Sequence, residues 1–179
     1  CQDHRRACSR QGACQRRASM MQVGEAHFVS MRPEHLEAVV AVEASAHSHP
    51  WGHAHFIEAL QAGNQAQLLM ADGHLLGYFV AMPGVGEVHL LNITVAPEYQ
   101  RQGWSRVMLD ALALWARGRG AAQIWLEVRW SNDRAQHVYA AQGFSRVGVR
   151  KAYYPAQAGT REDAVVMMLN LSPEQDHGA

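Results

Sequence analysis

The chain has 179 residues, 48% hydrophobic and 18% charged, with 16 basic and 16 acidic side chains that cancel. That is enough for one domain with a real core and too little for two, and the balanced charge excludes wholesale electrostatic binding to nucleic acid or to an anionic membrane. No apolar run approaches the roughly 18–20 residues of a membrane-spanning helix and no signal peptide precedes the body, so a cytoplasmic location is expected.

All three cysteines, Cys1, Cys8 and Cys14, fall ahead of the body, so neither a disulfide framework nor a cysteine nucleophile is expected in the folded part. Residues 1–19 are rich in Arg, Gln and Ser and read as a disordered basic tail outside the native start, with Met20 or Met21 as the first residue. The domain is expected over residues 20–171 and a flexible C terminus over 172–179.

A short strand is predicted from Ala26 to Met31, then a helix after Pro33 with Leu36, Val39, Val40 and Val42 as its apolar stripe. His47, His49, His53 and His55 crowd the next segment. Imidazole is a common metal ligand, but no carboxylate or cysteine completes a set here, so no metal is expected. A second helix follows from His53 to Gln61. Gln67 to Ala71 and Leu75 to Met82 flank Asp72-Gly73 as a β-hairpin.

Val88 to Val95 has the branched apolar character of a buried strand, and Pro97 stops it. A helix is predicted from about Arg101 to Arg117, with Trp104, Met108, Ala111, Leu112 and Trp115 on one face. Between strand and helix lies Gln100-Arg101-Gln102-Gly103-Trp104-Ser105-Arg106. Unpaired N–H groups of a first helical turn, the positive dipole end and a glycine make this turn a candidate anion seat, helped by Arg101 and Arg106. It lacks the Gly-Lys-Ser/Thr of a triphosphate loop and the three glycines of a dinucleotide fingerprint. A pyrophosphate on backbone N–H groups and an ordinary helix start with solvated arginines remain as readings.

In the strand Gln123 to Arg129, alternation sends Ile124, Leu126 and Val128 to one face and Trp125, Glu127 and Arg129 to the other. Glu127 is either a base in a cleft, its pKa raised by desolvation unless Arg129 lies close, or a solvated carboxylate paired with an arginine. Asn132 reads first as a helix cap, and Tyr139, sharing a helical face with Ala135, as a packed tyrosine with a general acid's chemistry. After Gly143 come a strand from Phe144 to Val149, a loop through Tyr153-Tyr154-Pro155 and a strand from Ala164 to Leu171.

Five separated motifs, Asn92–Val95, Gln100–Ser105, Trp125–Asn132, Val138–Phe144 and Tyr153–Asp163, together resemble the GNAT superfamily of N-acetyltransferases, in the family's order. Within it the pattern is similar to the bacterial ribosomal-protein-alanine group. The resemblance covers residues 22–171. It implies a mixed α/β domain: a twisted, mostly antiparallel sheet of about seven strands with a central parallel pair and flanking helices.

It also implies acetyl-CoA as donor, with its pyrophosphate on the backbone of Arg101, Gln102, Gly103, Trp104, Ser105 and Arg106, and its pantetheine arm along Ile93, Thr94 and Val95. Asn132 would lie near the thiol end. Glu127 would take the proton of the acceptor amine and Tyr139 would protonate the leaving thiolate. The implied acceptor is the N-terminal alanine of a small-subunit ribosomal protein, with no nucleic-acid or membrane contact. An acetyltransferase for lysine or a small amine, and a non-catalytic acyl-CoA-binding module, are the alternatives. Ser105 departs from the glycine or alanine usual there, and the 156–160 loop is one residue longer than in the family.

Overall fold

The computed structural model describes residues 24–156 and 159–171. The expectations for 1–19 and 172–179 lie outside the described residues, as does the middle of the 156–160 loop. Seven strands form one sheet: β1 (His27–Ser30), β2 (Gln65–Ala71), β3 (His74–Pro83), β4 (Glu87–Val95), β5 (Gln123–Arg129), β6 (Ser145–Pro155) and β7 (Arg161–Asn170). Their spatial order is β1-β2-β3-β4-β5-β7-β6, and every pair is antiparallel except β4 with β5. The expected mixed α/β architecture is therefore present, with the parallel pair at its centre. Four helices flank the sheet: α1 (Leu36–Ala46), α2 (His53–Gln61), α3 (Trp104–Gly118) and α4 (Asp133–Ala141). None of them is long and apolar enough to cross a membrane.

Three boundaries differ from the sequence reading. The helix expected from Arg101 begins at Trp104, because Arg101 (φ 62°) and Gly103 (φ 89°) are both left-handed and cannot belong to it. Tyr153-Tyr154-Pro155, expected as a loop, ends β6, where an irregular register between Arg150 and Tyr154 hides the strand's alternation. β7 starts at Arg161, ahead of the expected Ala164, because its polar first turn pairs with Pro155.

The sheet separates two apolar cores. On one face Phe79, Leu90, Ile124, Leu126 and Met167 pack with Met108, Leu109 and Leu112 of α3. On the other, Leu68, Tyr78 and Val80 pack with Leu36 and Val39 of α1 and Phe56 of α2. The hydrophobic stripe of each helix thus meets one face of the strands, and alternation in β5 follows the same division.

One irregularity matters for everything downstream. Val80 pairs with Asn92 while Ala81 pairs with Leu90, so Leu91 is an extra residue in β4, a bulge. The bulge leaves His89, Asn92 and Thr94 on the same face of the sheet, opposite Met82, Val80 and Tyr78. Parallel pairing with β5 runs from Glu87↔Gln123 to Leu90↔Leu126 and stops there, although both strands continue. Beyond that rung the sheet splits.

On the α1 face, the buried Glu43 ties helix to sheet. Its carboxylate accepts from the Tyr78 hydroxyl, from Thr94 Oγ1 (3.2 Å), from Asn92 Nδ2 (3.2 Å) and from the Trp51 N–H (2.9 Å). His47 Nε2 adds a contact to Thr94 Oγ1 at 2.8 Å and lies 3.4 Å from Glu43 Oε2. A buried carboxylate is tolerated because its lone pairs are filled. Burial, then the Glu43 charge, push the Tyr78 hydroxyl well above the usual phenol range, so it stays a donor. Glu43→Ala would orphan several buried donors and is expected to cost about 3 kcal/mol in urea unfolding; a loss below about 1 kcal/mol would show that the network carries no such stability.

Candidate active site

The split between β4 and β5 opens into a cleft of about 610 Å³, lined among others by Ile93, Thr94 and Val95 of β4, Gly103 to Arg106, and Asn132, Val138 and Tyr139. Of the residues singled out in the sequence, Gln102 and Glu127 are not part of its wall; the other ten are. Gln102 acts behind it, accepting from Trp104 Nε1 at 3.3 Å and donating to the Glu98 carbonyl at 3.3 Å.

The turn leads into α3 through a left-handed glycine. Gly103 caps α3 in a left-handed conformation, and a Cβ there would meet no protein atom within 4 Å, so the requirement for glycine is conformational and the space beside it is open. The first α3 amides with a partner on Gly103 are those of Arg106 and Val107, at 3.0 and 3.3 Å. Those of Trp104 and Ser105, ahead of them, belong to the first turn, which has no intrahelical acceptor for them, and both residues line the cleft. Gln100 pins the turn to the end of β4 through the Val95 carbonyl at 3.1 Å. Arg134, unnoticed in the sequence, also lines the cleft and reaches Gln100 Oε1 at 3.3 Å.

Asn132 is the α4 cap expected of it, accepting from the Ala135 N–H at 3.1 Å, and still borders the cleft. Tyr139 packs on Phe144 with ring centroids 5.8 Å apart and belongs to the α3 side of the sheet. Burial pushes its hydroxyl up to about 12, so at neutral pH it carries its proton.

Glu127 sits on the opposite face, with its side chain only 8% exposed. It is not solvated, and the arginine it pairs with is Arg150 and not the adjacent Arg129, which bonds Glu162 at 3.1 Å and the Pro155 carbonyl at 2.9 Å. Its own partners are His89 Nε2, 2.6 Å from Oε2, and Arg150 Nε, 2.9 Å from Oε1. Desolvation acts to raise the Glu127 pKa, but the His89 hydrogen bond and charge, followed by the Arg150 charge, outweigh it and hold the carboxyl below its ordinary range. The Arg150 contact is an ion pair without hydrogen-bond alignment, so buried Oε1 keeps an unused lone pair, as Trp125 Nε1 on the same face keeps an unused proton.

His89, Arg150 and Glu43 were missed because each finds its partner across the fold, at a separation no local pattern encodes. Of the clustered histidines, His47 joins the Glu43 network and His55 Nδ1 accepts from the Gly52 N–H at 3.0 Å. Among the described residues no group of three or more His, Cys, Asp or Glu could hold a metal ion. A smaller recess of about 280 Å³, lined by His47, His49, Arg129 and Asn132, adjoins the cleft through His47 and Asn132.

The sequence profile of the acetyltransferase (GNAT) family matches residues 36–144, and the chain belongs to that family. It is 36% identical over 148 residues to the ribosomal protein bS18-alanine N-acetyltransferase of Escherichia coli, covering 80% of this chain and 96% of that one. The crystal structure of the ribosomal-protein-S18-alanine N-acetyltransferase from Escherichia coli superposes with a TM-score of 0.77 at 33% identity, covering 86% of this chain and 98% of that one. A Salmonella typhimurium protein solved with its cofactor acetyl-CoA shares the fold at 15% identity, with a TM-score of 0.68 over 84% of this chain and 96% of that one.

The lowered pKa of Glu127 makes a stability prediction. A carboxyl whose folded pKa lies below its unfolded one, roughly 4.3, contributes stability that is present above that pH and lost as pH falls through the folded value. Glu127→Gln should therefore unfold with a shallower pH dependence than the wild type below about pH 4.3, measured by urea midpoints; an unchanged slope would contradict the assignment.

Proposed function

We propose that this chain transfers the acetyl group of acetyl-CoA to the N-terminal α-amine of a ribosomal protein, with alanine as the acceptor residue. The observation that supports it most is the placement of Glu127 and Tyr139 at the split, one on each face of the sheet, in an enzyme family whose 36%-identical relative carries that activity. The pyrophosphate is assigned to the amides and arginines of the Arg101–Arg106 turn, and the pantetheine arm to the β5-facing edge of Ile93–Val95, which β5 leaves free.

In this reading the amine approaches from the Glu127 face and attacks the thioester carbon. The new C–N bond forms, the C–S bond breaks, and the amine's proton passes to Glu127, through water at Oε1. The departing sulfur takes a proton from Tyr139, which holds one at neutral pH. An α-amine, with an unperturbed pKa of roughly 7.7–8.0, is already partly neutral at pH 7, so a carboxylate of low basicity suffices where lysine, at about 10.4, would ask more of it. In this reading the oxyanion is stabilised by strand N–H groups where the sheet opens.

Thiol release with an Ala-starting basic peptide tests the reading. Release with that peptide and little with its N-terminally blocked form is expected; release only with lysine or small amines would move the activity to another acceptor, and none at all would leave a binding module. Tyr139→Phe should lower kcat about 100-fold with the KM for acetyl-CoA within about twofold. Unchanged kcat would remove Tyr139 as the acid.

A further inference from the structure

We propose that His89 is a positioning residue for Glu127: it clamps carboxylate oxygen Oε2 across the last paired rungs of β4 and β5 and so leaves Oε1 as the atom that receives the acceptor's proton. The inference rests on the reading of Glu127 as the base.

The geometry is specific. His89 Nε2 and Glu127 Oε2 are 2.6 Å apart, a charge-assisted distance, and an ionised carboxylate only accepts, so the imidazole N–H donates. His89 stands opposite Trp125 in the parallel ladder, one rung before pairing ends at Leu90↔Leu126. Glu127 is the first β5 residue past that end, so the clamp bridges the strands where backbone bonds cease. The Leu91 bulge does not disturb this, since His89 precedes it and keeps the face it shares with Trp125 and Glu127. A histidine 27% exposed in its side chain is an odd choice for a packing role beside the apolar core, whereas its ring reach suits this bridge.

The charged and titratable groups facing the Glu127 carboxylate are few. β4 supplies His89, and β6 supplies Arg150 and Tyr154, whose hydroxyl is already committed to the Glu127 carbonyl at 2.9 Å. β7 offers Val166 opposite Glu127. Oε2 is thus filled by a hydrogen bond, while Oε1 has a cation beside it and no hydrogen-bond partner among the described residues. Without His89 the carboxylate keeps its desolvation, loses its main hydrogen bond and gains freedom to rotate out of register with the acceptor.

Following the Glu127 side-chain carboxyl by 13C NMR titration, alongside kcat and KM, in wild type, His89→Leu and His89→Gln tests the clamp. His89→Leu should move the Glu127 titration up by about one pH unit and lower kcat about tenfold or more, with the KM for acetyl-CoA unchanged within about twofold. His89→Gln, which can still donate an N–H, should recover most of kcat. A Glu127 titration that stays in place in His89→Leu, whether or not kcat falls, overturns the clamp. Equal losses in the Leu and Gln variants also overturn it. Glu127→Gln separates the two layers: full activity in that variant removes Glu127 as the base, whereas an inactive Glu127→Gln with an unmoved titration in His89→Leu defeats only the role given to His89.

Discussion

The structure depends on one interruption: the parallel ladder between β4 and β5 ends at Leu90 and Leu126 while both strands run on. A sheet interior left unpaired exposes backbone donors and acceptors that something must satisfy. Here β3 continues to pair with the other edge of β4 as far as Val95, through the Leu91 bulge, so the free edge is held from one side. The cleft is therefore a feature of the sheet itself, flanked by α3 and α4, and it does not depend on a mobile loop to create it.

Two buried carboxylates share the α1 face and do different things with similar chemistry. Glu43 has its oxygens filled by hydroxyl, amide and backbone donors and fastens α1, the following loop and β4 into one body. Glu127 is held by a histidine and an arginine and keeps one oxygen without a hydrogen bond. A satisfied buried carboxylate specifies structure, and an incompletely satisfied one just past the last β4–β5 rung is a candidate for chemistry. In the proposed reading the lowered pKa of Glu127 suits an α-amine acceptor, which needs only a weak base, and the raised pKa of Tyr139 suits a group that must arrive protonated.

Much of the frame was legible in the sequence because it is locally encoded. Alternation in Gln123–Arg129 gave the two faces of β5, and the proline and glycine around Arg101 marked the turn ahead of α3. Family resemblance pointed to Glu127, which lies just past the last β4–β5 rung, and to Tyr139 in the cleft wall. What escaped was non-local or irregular. Nothing near Leu91 announces a bulge, yet it decides that His89, Asn92 and Thr94 share a face. Exposed edge strand β6, with two breaks in register, has no periodicity that would have carried it through Tyr153-Tyr154-Pro155. Asn132 was legible as a cap, since the partner of its side chain lies three residues away.

Residue-resolved amide hydrogen exchange with and without saturating acetyl-CoA tests most directly whether the open edge of β4 and the Arg101–Arg106 turn together receive acetyl-CoA. Slowed exchange is expected at amides of the Ile93–Val95 edge that face the cleft and at Trp104 and Ser105, with β1 and β2 unchanged. Protection confined to other strands, or no change at those amides while acetyl-CoA is bound, would contradict it.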